Sequence, residues 1–267
     1  MEGRIITAAE AAEFGEFKRT KREAEVALTM KKVLVDASAR EIGKSALAEG
    51  CESAVRLGAW GVVVSPVNVV AARRKLAGSG VRVAARAGGT GESLIAIKKA
   101  EAKKAFRQGA GEIVLVPCYS ALKSGNVAYL RREVKRVRRA VKKGRLTLSL
   151  EDRALGEEEI SIGVRAACDG GADGVCVRGE TRLVLCALKA GGGKISADAS
   201  CVENAEQLRM LVKAGAGRMI AERAERISEE LYLAAKEEDA VAGVPVGELP
   251  ADPSANPADG SSPQDEG

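Results

Sequence analysis

The stretch EIVLVPCYSALKSGN, Glu112 to Asn126, passes from an apolar strand whose buried half carries no ionisable group into a polar loop with a lysine, a serine and a glycine. It does not stand alone. The residues after it, Ala128 to Val141, place apolar side chains at i, i+3 and i+4 and predict a helix, which runs into a second β-rich segment, RLTLSLED from Arg145. Outward in both directions the alternation repeats: KVLVD at 32, WGVVVSP at 60, VRVAARAG at 81, GVCVRG at 174, GKISADAS at 193 and RMIAE at 218. Helical stretches separate these segments, and several end in glycine turns such as RLGAW, RQGAGE, DGGADG and KAGAGR. Strand and helix in alternation mean parallel strands with crossover helices, and eight such units predict a closed (β/α)8 TIM barrel. Neither GxGxxG nor GxxxxGK[ST] follows a strand, which argues against an open nucleotide-binding sheet.

The barrel is expected over residues 31–240, behind an N-terminal helical extension over 1–30. From Val241 onward the chain is rich in Pro, Gly, Ser and Asp and is expected to be a disordered tail. The formal charge is only +5, from 42 Lys and Arg against 37 Asp and Glu, so no general affinity for nucleic acid is expected. No apolar run approaches the roughly 18 residues of a membrane helix, and the start of the chain lacks the pattern of a signal peptide, so a cytoplasmic protein with no membrane partner is expected. Six cysteines without a CxxC pair suit reduced, packed thiols. Histidine is absent, which removes Ser-His-Asp and Cys-His nucleophile systems and histidine zinc sites. Chemistry would rest on Lys, Asp, Glu, Cys or Tyr; no metal and no cofactor is expected.

In a barrel of this type the loops after the strands form the functional face, and side chains alternate between the interior and the helix layer. Strand five then directs Thr147, Ser149 and Glu151 inward. Strand seven directs Lys194, Ser196 and Asp198 inward, and strand six Cys176, Arg178 and Glu180. Nine basic residues between Tyr129 and Arg145 fall on one helix, read as a solvated outer helix or a docking face for an anionic partner.

From about Val33 to Ile227 the chain resembles the deoxyribose-phosphate aldolase family, class I aldolases that form a Schiff base between lysine and acetaldehyde. LGAWGVVVSPVNV, IKKAEAKKAFRQGAGEI, ALKSGN, LEDRALGEEEI, GGADGV and KAGAGRM carry the resemblance, ALKSGN and the glycine-alanine entry to strand four most specifically. The same resemblance implies departures. Val114 stands where the family has a strand-four aspartate, and Cys176 stands where it has the imine-forming lysine. Its phosphate-binding glycine pair after strand seven is read at Ala197-Asp198, and its Gly-Thr-Ser-Ser after strand eight at Ile220–Arg223. Lys194, the family's second lysine, Glu151 and Asp36 are read as retained.

A thiol cannot form an imine, so ordinary aldolase activity is not expected. Two readings remain open. In the first, the protein is a lyase acting on a small, unphosphorylated carbonyl compound through Lys194, with Glu151 relaying protons and Arg178, Ser196, Lys123 or Cys176 binding substrate. In the second it is a non-catalytic barrel, a binding or assembly module in which Lys194 and Glu151 merely pair. Either is expected to form a homo-oligomer, such as a dimer.

Overall fold

The computed structural model describes residues 21–38 and 43–241. Eight strands appear in chain order: β1 (Val33–Ala37), β2 (Gly61–Val64), β3 (Arg82–Ala87), β4 (Glu112–Leu115), β5 (Arg145–Leu150), β6 (Gly174–Arg178), β7 (Ser196–Ser200) and β8 (Met219–Ala221). Each pairs in parallel with the next and β8 returns to β1, so the sheet closes into a barrel. Residues 21–30 form helix α1. The crossovers are α2 (Lys44–Arg56), α3 (Val69–Lys75), α4 (Ile95–Arg107), the short α5 (Tyr119–Lys123) with α6 (Val127–Ala140), α7 (Glu157–Gly170), α8 (Thr181–Gly191) and α9 (Ala205–Lys213); α10 (Ala224–Val241) follows β8.

The whole barrel lies in one compact unit, Val26–Leu231. Described residues outside it belong to a second unit, in which the Arg22 guanidinium lies 6.0 Å from the Tyr232 ring centroid. The tail expected after Val241 and residues 1–20 of the N-terminal extension lie outside the described residues.

Strand alternation produces two separate cores. Outward-pointing Val35, Ile113, Leu115, Leu146 and Leu148 pack beneath the helices, against residues such as Leu130, Val134 and Val137 of α6. Complete burial of such a side chain stabilises by about 1.5–3 kcal/mol, so this layer dominates the favourable side of folding. Inside the barrel a smaller apolar level is built from Leu34, Val63, Ala84, Val114, Cys176 and Ile220.

Below that level, toward the strand N-termini, the interior is ionic. Arg218 donates to both oxygens of Glu112, at 2.7 and 2.8 Å, and its Nε donates to Asp198 at 3.2 Å. Thr147 donates to Glu112 at 2.6 Å, and the guanidinium of Arg145 lies 3.5 Å from both carboxylates. Burial opposes the charge on Arg218, but its hydrogen bonds and the facing carboxylates outweigh that and raise its pKa. The Trp60 ring lies 4.2 Å from Arg218 and covers the network from one side. Gly174 makes room for it: a Cβ there would stand 2.7 Å from both the Arg145 Nη2 and the Ser196 Oγ. The strand opening EIVLVPC therefore does carry a buried charge, since Glu112 is only 1% exposed. Its position at the entrance of β4 sets it beside Arg218, a partner 106 residues away.

Candidate functional site

The level above the apolar one, at the carboxyl ends of the strands, is where a barrel of this kind carries its site. Arg86, near the end of β3, occupies its centre. Its Nη1 donates to Glu151 at 2.8 Å, its Nη2 to Asp36 at 3.2 Å and its Nε to the Ser38 hydroxyl at 3.0 Å. Burial works against the charge, yet Glu151 and Asp36 outweigh it and raise the Arg86 pKa. The loop after β3 holds this strand end in place: the Gly88 N–H donates to Glu101 of α4 at 2.6 Å, and Gly88 adopts φ 105° where a Cβ would meet the Val116 carbonyl at 2.7 Å. Tyr119, first residue of α5, faces the same cluster. Burial and then the charge of Glu151 push its hydroxyl up to about 12.

Cys176 points inward from β6 and is fully buried. Burial, reinforced by the charges of Glu151 and Asp198, raises its pKa well above the ordinary thiol value. The thiol is held protonated, the opposite of what a nucleophile needs. Val114 fills the inward position of β4 in the same apolar level.

The structure moves Lys194 away from this level. It lies in the turn between α8 and β7, at the opposite rim of the barrel from Glu151, and its side chain is exposed. Its charge acts on Cys168 in the helix layer. Left-handed Gly192 (φ 53°) and Gly193 (φ 76°) close α8 there, so the strand begins only at Ser196. The expected Lys194–Glu151 pair is thereby ruled out geometrically; Glu151 pairs with Arg86 instead. Ser196 does face inward, but at the lower rim, where it accepts from Arg145 at 2.5 Å. Asp198 is likewise buried in the lower ionic level and does not reach the mouth. The turn after β7 begins at Cys201, not at Ala197-Asp198, and Cys201 itself holds a left-handed φ of 55°.

Lys123 is half exposed and ties two loops together, donating to the Ala154 carbonyl and, at 3.1 Å, to Glu159 at the start of α7. Arg178 lies at the upper rim with Glu180 3.6 Å away. Of the residues expected at the site, Glu151, Cys176 and Arg178 thus share the upper half of the barrel, and Lys194, Ser196 and Lys123 stand apart. Arg86 and Tyr119 are the residues that reading the sequence missed. Arg86 was detectable, because alternation along VRVAARA sets it on the same face as Ala84.

Beside the ion cluster, the loops after β5 to β8 enclose a cavity of about 440 Å³. Arg153, Arg178, Arg223 and Arg226 line it, against two carboxylates, Glu203 and Glu222. Arg226 is engaged by Glu230 at 2.8 Å. Among the described residues Arg153 and Arg223 have no carboxylate within ion-pair distance. Of the two carboxylates that the resemblance sets at the family's phosphate-binding positions, Asp198 and Glu222, only Glu222 lines the cavity. No group of three or more metal-ligating side chains occurs among the described residues, and Cys118, Cys176 and Cys201 form no such cluster. No helix among them is long and apolar enough to cross a membrane.

A closed parallel barrel of eight strands with a polar cluster and a cavity at their carboxyl ends defines a (β/α)8 barrel with its polar groups on the face where such folds carry their sites. No family model matches the chain. Curated relatives do: the deoxyribose-phosphate aldolase of Rhodospirillum rubrum is 32% identical over 190 residues, covering 68% of this chain and 76% of that enzyme. The one from Mycolicibacterium paratuberculosis is 35% identical over 180 residues, covering 62% and 80%. Among solved structures, the aldolase QR15 superposes with a TM-score of 0.72 at 25% identity, over 79% of this chain and 98% of the other. A tetrameric deoxyribose-phosphate aldolase from Aeropyrum pernix shares the fold, with a TM-score of 0.71 at 18% identity over 79% and 94% of the two chains. The chain belongs to the deoxyribose-phosphate aldolase family.

Proposed function

We propose that this family member has given up imine chemistry and works as a non-catalytic binding barrel whose ligand is a small dianion held at the mouth. One observation carries the first half. Among the described residues no inward-facing position of the barrel is a lysine, and the slot that the sequence resemblance sets at the family's imine-forming lysine holds the buried thiol of Cys176. An imine requires a primary amine, and the one buried lysine among the described residues, Lys98, sits outside the barrel in the helix layer, bound to Glu133 at 2.6 Å. Asp36 and Glu151 both engage Arg86 where a substrate carbonyl would have to enter, so this cation is not free to bind it.

The mouth cavity supports the second half. Arg178 and Arg226 are engaged by Glu180 and Glu230, but Arg153 and Arg223 face the concave site without a carboxylate partner among the described residues, and guanidinium forks suit carboxylate or phosphate oxygens. With its six cysteines all unpaired, the chain suits a reducing compartment, and we place it in the cytoplasm, associating with copies of itself.

Borohydride trapping tests the loss of chemistry. Intact-protein mass spectrometry after incubation with acetaldehyde, glyceraldehyde or deoxyribose 5-phosphate is expected to show no reduced adduct. A stoichiometric mass gain mapped to any lysine, Lys194 included, overturns the reading and restores the lyase.

A further inference from the structure

Outside the barrel, α4 and α6 lie side by side and leave a groove of about 540 Å³ between them. Its floor is small and apolar, made by Ile95, Ala96 and Ala100 of α4. Both rims are cationic: Lys99 and Lys103 on one side, Arg132 and Arg136 on the other. Over the crest of α6 a second groove of about 590 Å³ continues the surface toward α7 and shares Arg132 and Arg136 with the first. Arg131, Lys135 and Arg139 line it, with Asp169 as the one carboxylate.

Several cations elsewhere on the barrel are matched with carboxylates, as Arg226 with Glu230 at 2.8 Å, Lys75 with Glu52 at 3.4 Å and Arg182 with Glu157 at 3.5 Å. The seven groove cations have no carboxylate partner among the described residues. They are also set against each other, since Lys99 and Lys103, Arg132 and Arg136, and Arg131, Lys135 and Arg139 each follow the i, i+4 spacing. Like charges so placed repel one another and destabilise a helix. The one acid of α6, Glu133, is turned inward to Lys98 and relieves none of this. Residues 95–145 hold fifteen Lys and Arg against three Asp and Glu, a balance of +12, which leaves −7 for the rest of a chain whose total is +5.

We infer that the α4/α6 groove is a docking site for an acidic amphipathic helix of a partner protein. The small floor lets a third helix approach two parallel ones at ordinary packing distance, about 8–10 Å, and the rims place cations where glutamates flanking a narrow apolar seam would lie. The lining from Ile95 to Lys103 spans about 12 Å, two helical turns. A phosphate backbone would use the rims but gain nothing from Ile95, Ala96 and Ala100. Bases would find no aromatic side chain in either lining on which to stack.

The full chain is titrated by fluorescence anisotropy with a synthetic helix of about 18 residues carrying glutamates beside an alanine-leucine seam, and with its scrambled isomer. The amphipathic peptide is expected to bind at least about tenfold more tightly than the isomer, a difference of about 1.4 kcal/mol. Arg132→Glu with Arg136→Glu removes about tenfold or more of that affinity. Ala100→Gln, which fills the floor at an exposed site without changing charge, weakens binding several-fold, with circular dichroism confirming that both variants remain folded. Equal binding of the two peptides, or indifference to Ala100→Gln, overturns the proposal. So does tighter, steeply salt-dependent binding of a nucleic acid duplex, which would make this a phosphate surface.

Discussion

Tyr119 shows how one residue reports on the upper barrel. Its hydroxyl is buried beside the carboxylate of Glu151, and both effects favour the protonated form and push it from 10.0 to about 12, with a hydrogen bond to Ser149 pulling the other way. The folded chain therefore keeps this proton between about pH 10 and 12, where the unfolded chain has released it. Stability is fully present below the unfolded value and falls as pH rises through that window. Ultraviolet difference titration of the three tyrosines is expected to show one tyrosinate appearing only near pH 12, a step that Tyr119→Phe removes. Three coincident titrations near 10 would mean that the hydroxyl does not face Glu151. Cys176 and Val114 were legible at this scale, because their places follow from counting along strands whose polarity alternates. Arg86 could have been found by the same count, but its partners, Asp36 and Glu151, come from other strands and no local pattern joins them.

Helices α4 and α6 are joined by one ion pair as well as by apolar contact. Lys98 donates to Glu133 at 2.6 Å and to the Val116 carbonyl at 3.0 Å, while the Cys118 N–H donates to the second Glu133 oxygen at 3.1 Å. Both side chains of the pair are fully buried. Burial raises the Glu133 pKa, and Lys98 is the main influence that lowers it. Lys98→Met leaves this carboxylate buried with only a backbone donor, and removing one partner of a buried pair costs about 3–5 kcal/mol. The loss is expected to be full near neutral pH and to shrink as pH falls, because a carboxyl with a raised folded pKa takes up a proton and its penalty disappears. Urea denaturation of both proteins from neutral pH to about pH 5 measures it, and a pH-independent difference would contradict the assignment. The alternation predicted a helical stretch ahead of β4, yet it did not mark Lys98 as the lysine turned inward. That depends on α6 lying alongside.

For the barrel as a whole, the mouth cavity carries a consequence for ligand-linked stability. A ligand bound only by the folded state stabilises it by about 2.7 kcal/mol at a hundredfold excess over its Kd. Phosphate or malonate is expected to raise Tm in thermal denaturation relative to chloride at equal ionic strength, and Arg178→Ala with Arg223→Ala to abolish the rise. Equal shifts in the variant would place the anion elsewhere. The comparisons and the closed sheet agree on the family, and the proposed loss of imine chemistry rests on no lysine facing the barrel interior among the described residues.

Alternation of strand and helix, the number of units, and the faces of most strands were determined by the sequence alone, because periodicities of 2 and 3.6 are local properties that neighbouring residues display together. Where β7 begins was also written locally, in the glycines before Lys194, but β propensity masked it. Only the closed barrel decided which charges meet. Glu112 with Arg218, Arg86 with Asp36 and Glu151, and the four arginines of the mouth come from strands and loops far apart in the chain. Their pairing follows from strand register and ring closure, which no short window of sequence contains.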